Sequence, residues 1–250
     1  SHPAVLETVA ACGMSFECVS RPEVERVLET LPGLDRDRIL FTPNFAPREE
    51  YEWALAAGIR LTIDNLYVLR SWPGIFRGRA LFVRIDTGQG HGHHQHVRTA
   101  GSHSKFGVPL FELDDLRAAA DAAGASIEGL HAHTGSGNFD LAMWIETAQC
   151  LAEAAQRLGS VRVLDIGGGL GVPDRPGRLP VDIGALDAAL AGFAVAHPGL
   201  ELWLEPGRFV VAGAGVLLAR VTQLKGKGAV RYLGVATGMN SLIRPALYGA

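Results

Sequence analysis

Three lysines, Lys105, Lys225 and Lys227, and three cysteines, Cys12, Cys18 and Cys150, are all that this sequence of 250 residues contains of either type. An odd number of cysteines with no CxxC pair supports neither a disulfide framework nor a zinc site, so reduced thiols are expected. The 23 basic residues are scattered among 26 acids, for a net charge of −3, with no basic run to follow a phosphate backbone. Nucleic acid is therefore not an expected partner. Long apolar runs are scarce too. The run 209–219 is too short to span a bilayer and is bounded by Arg208 and Arg220. No charged segment followed by an apolar one opens the chain. These absences predict a soluble cytoplasmic protein with no membrane partner.

What the chain does have is rhythm. With 48% hydrophobic side chains it can bury one large core, or one core and a small second unit. Helical spacing is expected at residues 2–11, after Ser20, at 47–57, from Asn65, and at 113–123, 141–158 and 183–196. Strands alternate with them near Cys18, Phe41, Ile63, Val83, His131, Leu164 and Leu204. Alternation of this kind means a parallel sheet. Seven strands are one short of the eight that close a (β/α)8 barrel, and polar motifs end nearly every strand, where such a barrel keeps its site. A doubly wound sheet is the alternative architecture. The rhythm breaks twice, first in the long polar loop 87–109 and then from Phe209 onward, where Val, Leu and Gly without helical spacing suggest strands of a separate β unit.

The motifs at the strand ends carry the chemistry. VLDIGGGLGVP, residues 163–173, ends an apolar strand in an acid and three glycines. Gly167, Gly168 and Gly169 can turn with positive φ and present N–H groups to an anion such as phosphate, or can simply make a tight turn. In LHAHTGSG, His131 and His133 lie two apart on a strand and face one side. With His91, His93, His94 and His96 in the loop they invite a metallohydrolase reading, but no carboxylate-rich shell is evident around them. Ser136 and Gly137 can add a hydroxyl and an N–H to an anion site. Glu205-Pro206-Gly207-Arg208 ends the next strand. Glu205 could pair with a protonated ring nitrogen, and Gly207 and Arg208 could reach phosphate or a substrate carboxylate. An aromatic cofactor with a phosphate at one end and a basic ring nitrogen at the other is pyridoxal 5′-phosphate.

The set HAHTGSG, LDIGGGLG, EPGRFVVAGAGVLL, GHHQHVRTAGSHSKFG and RPALYGA resembles, in order and through nearly the whole chain, the fold-type III pyridoxal-phosphate-dependent ornithine/diaminopimelate/arginine decarboxylases, their diaminopimelate branch most closely. The resemblance implies an α/β fold, a (β/α)8 cofactor-binding barrel lacking its first strand over residues 1–212 and the beginning of a C-terminal β-domain over 213–250. It implies a homodimer whose active sites are completed by the partner chain. It implies that His133 stacks on the pyridine ring and Glu205 holds the pyridine nitrogen, these two being catalytic. Ser136, Gly167, Gly168, Gly169, Pro206, Gly207 and Arg208 would surround the cofactor and its phosphate, and Arg208, Arg244 and Tyr248 would contact the substrate. No metal is implied. The activity implied is decarboxylation of meso-2,6-diaminopimelate to L-lysine, in lysine biosynthesis.

The sequence departs from that pattern in two places. Gly135-Ser136-Gly137 resembles the ornithine and arginine decarboxylase branch, which keeps that activity as an alternative, with the metallohydrolase behind it. The family's cofactor-holding lysine lies in a YxVKAN-like strand directly before a segment resembling Ser1-His2-Pro3-Ala4. The chain is therefore expected to be a piece of a longer protein. Lys105, within HSKFG, is expected to make a structural ion pair rather than to serve in covalent catalysis, and none of the three lysines is expected beside the ring face that His133 covers.

Overall fold

A computed structural model describes residues 2–88, 104–174, 177–243 and 247. Helix α1 (Pro3–Ala11) starts on a His2 cap whose side chain accepts from the Ala4 N–H, and Gly13, at φ +78°, turns the chain into β1 (Phe16–Cys18). Ser20 sits at the N-cap of α2 (Arg21–Thr30) as expected, but its hydroxyl makes no capping bond; Glu23 reaches back to the Val19 N–H instead, at 2.7 Å. The alternation continues through β2 (Ile39–Phe41), α3 (Arg48–Ala56), β3 (Arg60–Ile63), α4 (Leu66–Ser71), the unexpected single turn α5 (Pro73–Phe76) and β4 (Ala80–Asp86). The two-residue strand β5 (Val108–Pro109), also unexpected, lies against the end of β4, a position open to proline because the strand is an edge. Then come α6 (Leu113–Ala123), β6 (Ser126–His131), α7 (Ala142–Leu158), β7 (Val163–Asp165), α8 (Ile183–Ala196) and β8 (Glu201–Trp203).

All pairings in this sheet are parallel, and the order is β1-β2-β3-β4-β6-β7-β8 with β5 beside β4. An order that never reverses is that of a barrel and not of a doubly wound sheet. The sheet curls on itself: Glu17 of β1 and Glu205 after β8, at its two edges, line one cavity.

Alternate residues fill the inside of the curl in two layers. The lower layer is apolar. Leu40, Phe82, Val163 and Trp203 form a cluster of their own, with the Phe82 and Trp203 rings stacked at 5.1 Å. Gly129 belongs to this layer because a Cβ there would lie 2.3 Å from the Phe82 ring. Two residues further along the same strands, the upper layer is charged. Register places Arg84, His131 and Asp165 side by side on β4, β6 and β7. The larger hydrophobic core lies between the outer face of the sheet and the helices.

Beyond β8 the structure differs from expectation at residues 209–214. Gly207–Val211 form the short helix α9, followed by a 3-10 turn at Ala212–Ala214, where strands were expected. Five residues are too few for a 3.6-residue repeat to show in sequence. A hairpin of β9 (Val221–Lys227) and β10 (Val230–Val235) follows as a separate antiparallel pair. Among the described residues no helix is long and apolar enough to cross a membrane.

Candidate active site

Three strand-end loops, after β6, β7 and β8, interlock through backbone. The Ala132 N–H donates to the Asp165 carbonyl (2.9 Å), the Glu205 N–H to the Gly167 carbonyl (2.9 Å) and the Asn138 N–H to the Gly169 carbonyl (2.8 Å). This interlock explains the glycine triplet. A Cβ on Gly168 would stand 2.1 Å from the Glu205 carbonyl oxygen, and one on Gly169, whose φ is +98°, would stand 2.0 Å from that of Gly135. Gly167 N–H donates to Asp165 Oδ1 at 2.9 Å and Gly168 N–H to His133 Nδ1 at 3.3 Å. Of the three amides offered to an anion by the sequence, only that of Gly169 makes no hydrogen bond among the described residues. The Gly207 N–H is turned inward too, donating to the Glu205 carbonyl at 2.8 Å.

The expected residues come together. Ser136 adjoins Gly169, Glu205 packs on Gly168, Pro206 caps α9, and the charge of Arg208 at the start of α9 is felt at His133. Arg244, Tyr248 and His91, His93, His94 and His96 lie outside the described residues.

His131, His133 and Glu205 line a cavity of about 540 Å³ together with Glu17, Thr42, Asn44, Arg84, Lys105 and Phe106. Burial pushes both histidines down to about 4, helped at His133 by the charges of Arg84 and Arg208, so both rings are neutral near pH 7. Burial pushes the carboxyls of Asp165 and Glu205 up to about 7. Glu17 has one flank in solvent on the edge strand, but its carboxyl is enclosed. That enclosure, with repulsion from Glu205 and Asp165, raises its pKa as well. Arg84 and Lys105 are the cations among them, the Arg84 guanidinium 4.2 Å from the centre of the Phe106 ring. Thr42 bonds to Glu17, and Asn44 bonds to Asp64 behind the wall.

Two expectations need correction. Carboxylates do surround the histidines: His131, Asp165 and Glu205 bring polar atoms within 4.8 Å of one another, a cluster that leaves out His133 and so breaks up the His-x-His pair as a shared ligand set. Strand β6 ends at His131, and His133 sits beyond it in the loop. Lys105, for its part, makes no salt bridge among the described residues. It lines the cavity, with its amine 5.0 Å from the centre of the Phe106 ring and 5.7 Å from that of Phe45. Ring faces hold the cation where an acid was expected. Sequence reasoning also missed Glu17, Arg84 and Asp165 as site residues. Their signal was present: each is a charged residue inside an apolar strand, at or near its C-terminal end.

Residues 1–212 match the family model described as "Pyridoxal-dependent decarboxylase, pyridoxal binding domain". The chain is 34% identical over 259 residues to a diaminopimelate decarboxylase of Methanothermobacter thermautotrophicus, covering 99% of this chain and 60% of that protein. It is 33% identical to that of Streptomyces coelicolor, covering 100% and 58%. The structure superposes on diaminopimelate decarboxylase from Helicobacter pylori complexed with L-lysine with a TM-score of 0.88 at 27% identity, covering 99% and 64%. The chain thus spans about 60% of the length of the curated relatives it matches. A curled parallel sheet with an interlocked glycine triplet at its mouth, and a family match running from the first residue to α9, lead to one assignment: the chain belongs to the pyridoxal-dependent decarboxylases, through their pyridoxal-binding domain.

Proposed function

We propose that the cavity at the strand ends binds pyridoxal 5′-phosphate and that the whole protein decarboxylates meso-2,6-diaminopimelate to L-lysine. The observation that carries this reading is the Oε1 atom of Glu205, buried without a hydrogen-bond partner beside the cavity that His133 also lines. A buried acceptor left unmade is costly unless a donor arrives, and a protonated ring nitrogen is such a donor. At the glycine triplet the Gly167 and Gly168 amides are taken by Asp165 and His133, which leaves the Gly169 N–H as the donor for a phosphate. When bound, the cofactor supplies an electron sink for the pair of electrons left by the departing carboxylate.

The chain's own residues set the conditions for that chemistry. Glu205 holds the proton on the ring nitrogen. His133, neutral and flat, limits movement of the ring by stacking. Ser136, the Gly169 amide, Pro206, Gly207 and Arg208 surround the phosphate end. The wall carries two carboxyls, Glu17 and Glu205, and two cationic side chains, Arg84 and Lys105. We assign Arg208, Arg244 and Tyr248 to the substrate, whose distal carboxylate suits an arginine and a hydroxyl. The same reading makes the whole protein a cytoplasmic homodimer with shared active sites, divided into a barrel over residues 1–212 and a β-domain beginning at 213.

Carbon dioxide release by the full-length protein with pyridoxal phosphate, measured side by side on meso-diaminopimelate, ornithine and arginine, tests the proposal. Release from diaminopimelate at least about tenfold faster than from the other two is expected, because ornithine leaves the arginine unpaired. Turnover of ornithine or arginine in preference would overturn the substrate.

A further inference from the structure

Asp165 ends β7 and is 2% exposed, behind the cavity wall and not on it. It nevertheless touches both ends of the site. Its Oδ1 accepts from the Gly167 N–H at 2.9 Å, where the glycine triplet begins, and its carboxyl is hydrogen-bonded to that of Glu205. Two carboxyl groups form such a bond only with a proton between them. Burial raises both carboxyls to about 7, so the pair retains a proton toward neutrality. The other groups facing this pair are neutral His131, whose Nε2 is 3.4 Å from Glu205 Oε2, then Arg84 on β4 and Glu17 on β1.

We propose that Asp165 is a positioning residue that ties the ring-nitrogen end of the cofactor site to its phosphate end, donating a hydrogen bond to Glu205 while accepting one from Gly167. The proposal rests on the assignment of the cavity to pyridoxal phosphate. Through this link, the Glu205 carboxyl is held beside the cavity, and the first turn of the glycine loop is held against the same Asp165 side chain. The Glu205 N–H bond to the Gly167 carbonyl joins the two ends through backbone, and Asp165 adds the side-chain link.

The test uses the full-length protein, its Asp165→Asn variant and its Asp165→Leu variant. Pyridoxal phosphate affinity is measured by equilibrium dialysis across the neutral to alkaline range, and ring protonation by the ¹⁵N shift of cofactor labelled at the pyridine nitrogen. Asparagine can donate to Glu205 through its amide and accept from Gly167 through its carbonyl at any pH. It should bind the cofactor within about threefold of wild type at slightly acidic pH and lose less affinity than wild type as the pH rises, since it has no proton to give up. Leucine should bind at least about tenfold more weakly, with the ¹⁵N signal moved toward the unprotonated value. An asparagine profile that superimposes on wild type, or a leucine variant with wild-type affinity and ¹⁵N shift, would overturn the proposal. If the leucine variant does not fold by circular dichroism, the asparagine comparison decides. Wild-type protein that binds no pyridoxal phosphate would instead overturn the assignment of the cavity, and this proposal with it.

Discussion

The Nδ1 atom of His133 accepts a hydrogen bond from the Gly168 N–H at 3.3 Å, which joins the loop after β6 to the loop after β7. An accepting Nδ1 puts the proton of the neutral ring on Nε2. The ring is thereby fixed in tautomer and plane by backbone, and its low pKa keeps it uncharged.

From this follows the behaviour expected of variants at His133. Replacement by alanine should weaken pyridoxal phosphate binding about tenfold or more, whereas phenylalanine, which keeps a flat face but loses the Gly168 bond, should retain more of it. Because the ring titrates near 4, the wild-type affinity should show no step at the ordinary histidine pKa. Dissociation constants measured by cofactor fluorescence check both points. A step near 6.5 that vanishes in the phenylalanine variant would mean that the ring works as a charge.

Glu205→Gln should retain the cofactor, because the phosphate contacts are untouched, and should lose about a hundredfold or more in decarboxylation, since an amide cannot hold the ring nitrogen protonated. The same variant should be the more heat-stable in the cofactor-free state. The folded Glu205 carboxyl titrates near 7 against an ordinary value of 4.5. The native state therefore holds a proton that the unfolded chain has released, and stability falls as pH rises between those two values. Glutamine escapes this loss, so its advantage should grow from nothing in acid to about 2–4 °C in melting temperature above neutrality. Near wild-type turnover in Glu205→Gln would show that the carboxylate serves another purpose.

Gly168→Ala isolates close approach from backbone strain, since the φ of Gly168 is not positive while its Cβ would lie 2.1 Å from a backbone oxygen. Backbone cannot swing aside as a side-chain tip can. The substitution should cost about 2–4 kcal/mol, read as a lower urea midpoint, and should displace Glu205 from the cavity. An unchanged midpoint would mean that the interlock of the two loops is looser than the structure shows.

Phe82→Ala should cost about 3–5 kcal/mol by emptying the lower layer of the sheet, where its ring packs on Trp203 and fills the space above Gly129. Pairing it with Gly129→Leu, which puts apolar volume back from the neighbouring strand, should recover part of that loss. Chemical denaturation of the two variants measures it.

The sequence by itself determined the parallel alternation, because a strand's apolar run and a helix's 3.6-residue spacing are local patterns that survive without neighbours. Helices α6 and α8 fall at their expected bounds for that reason, and the seven strands fall where Cys18, Phe41, Ile63, Val83, His131, Leu164 and Leu204 marked them, the last one residue short. The strand-end motifs were legible on the same grounds, as were His133 and Glu205, which the structure brings to one cavity. Helix α9 was not legible, because under two turns there is no repeat to read. Only the tertiary structure decided what the acids do. Asp165 is one letter in an apolar run until curling of the sheet sets it in register with His131 and beside Glu205, and there desolvation and a shared proton give it a role. Register between distant strands and the loss of water on packing belong to no single segment of the chain, so the pairing of Asp165 with Glu205 could be seen only once the sheet had curled around it.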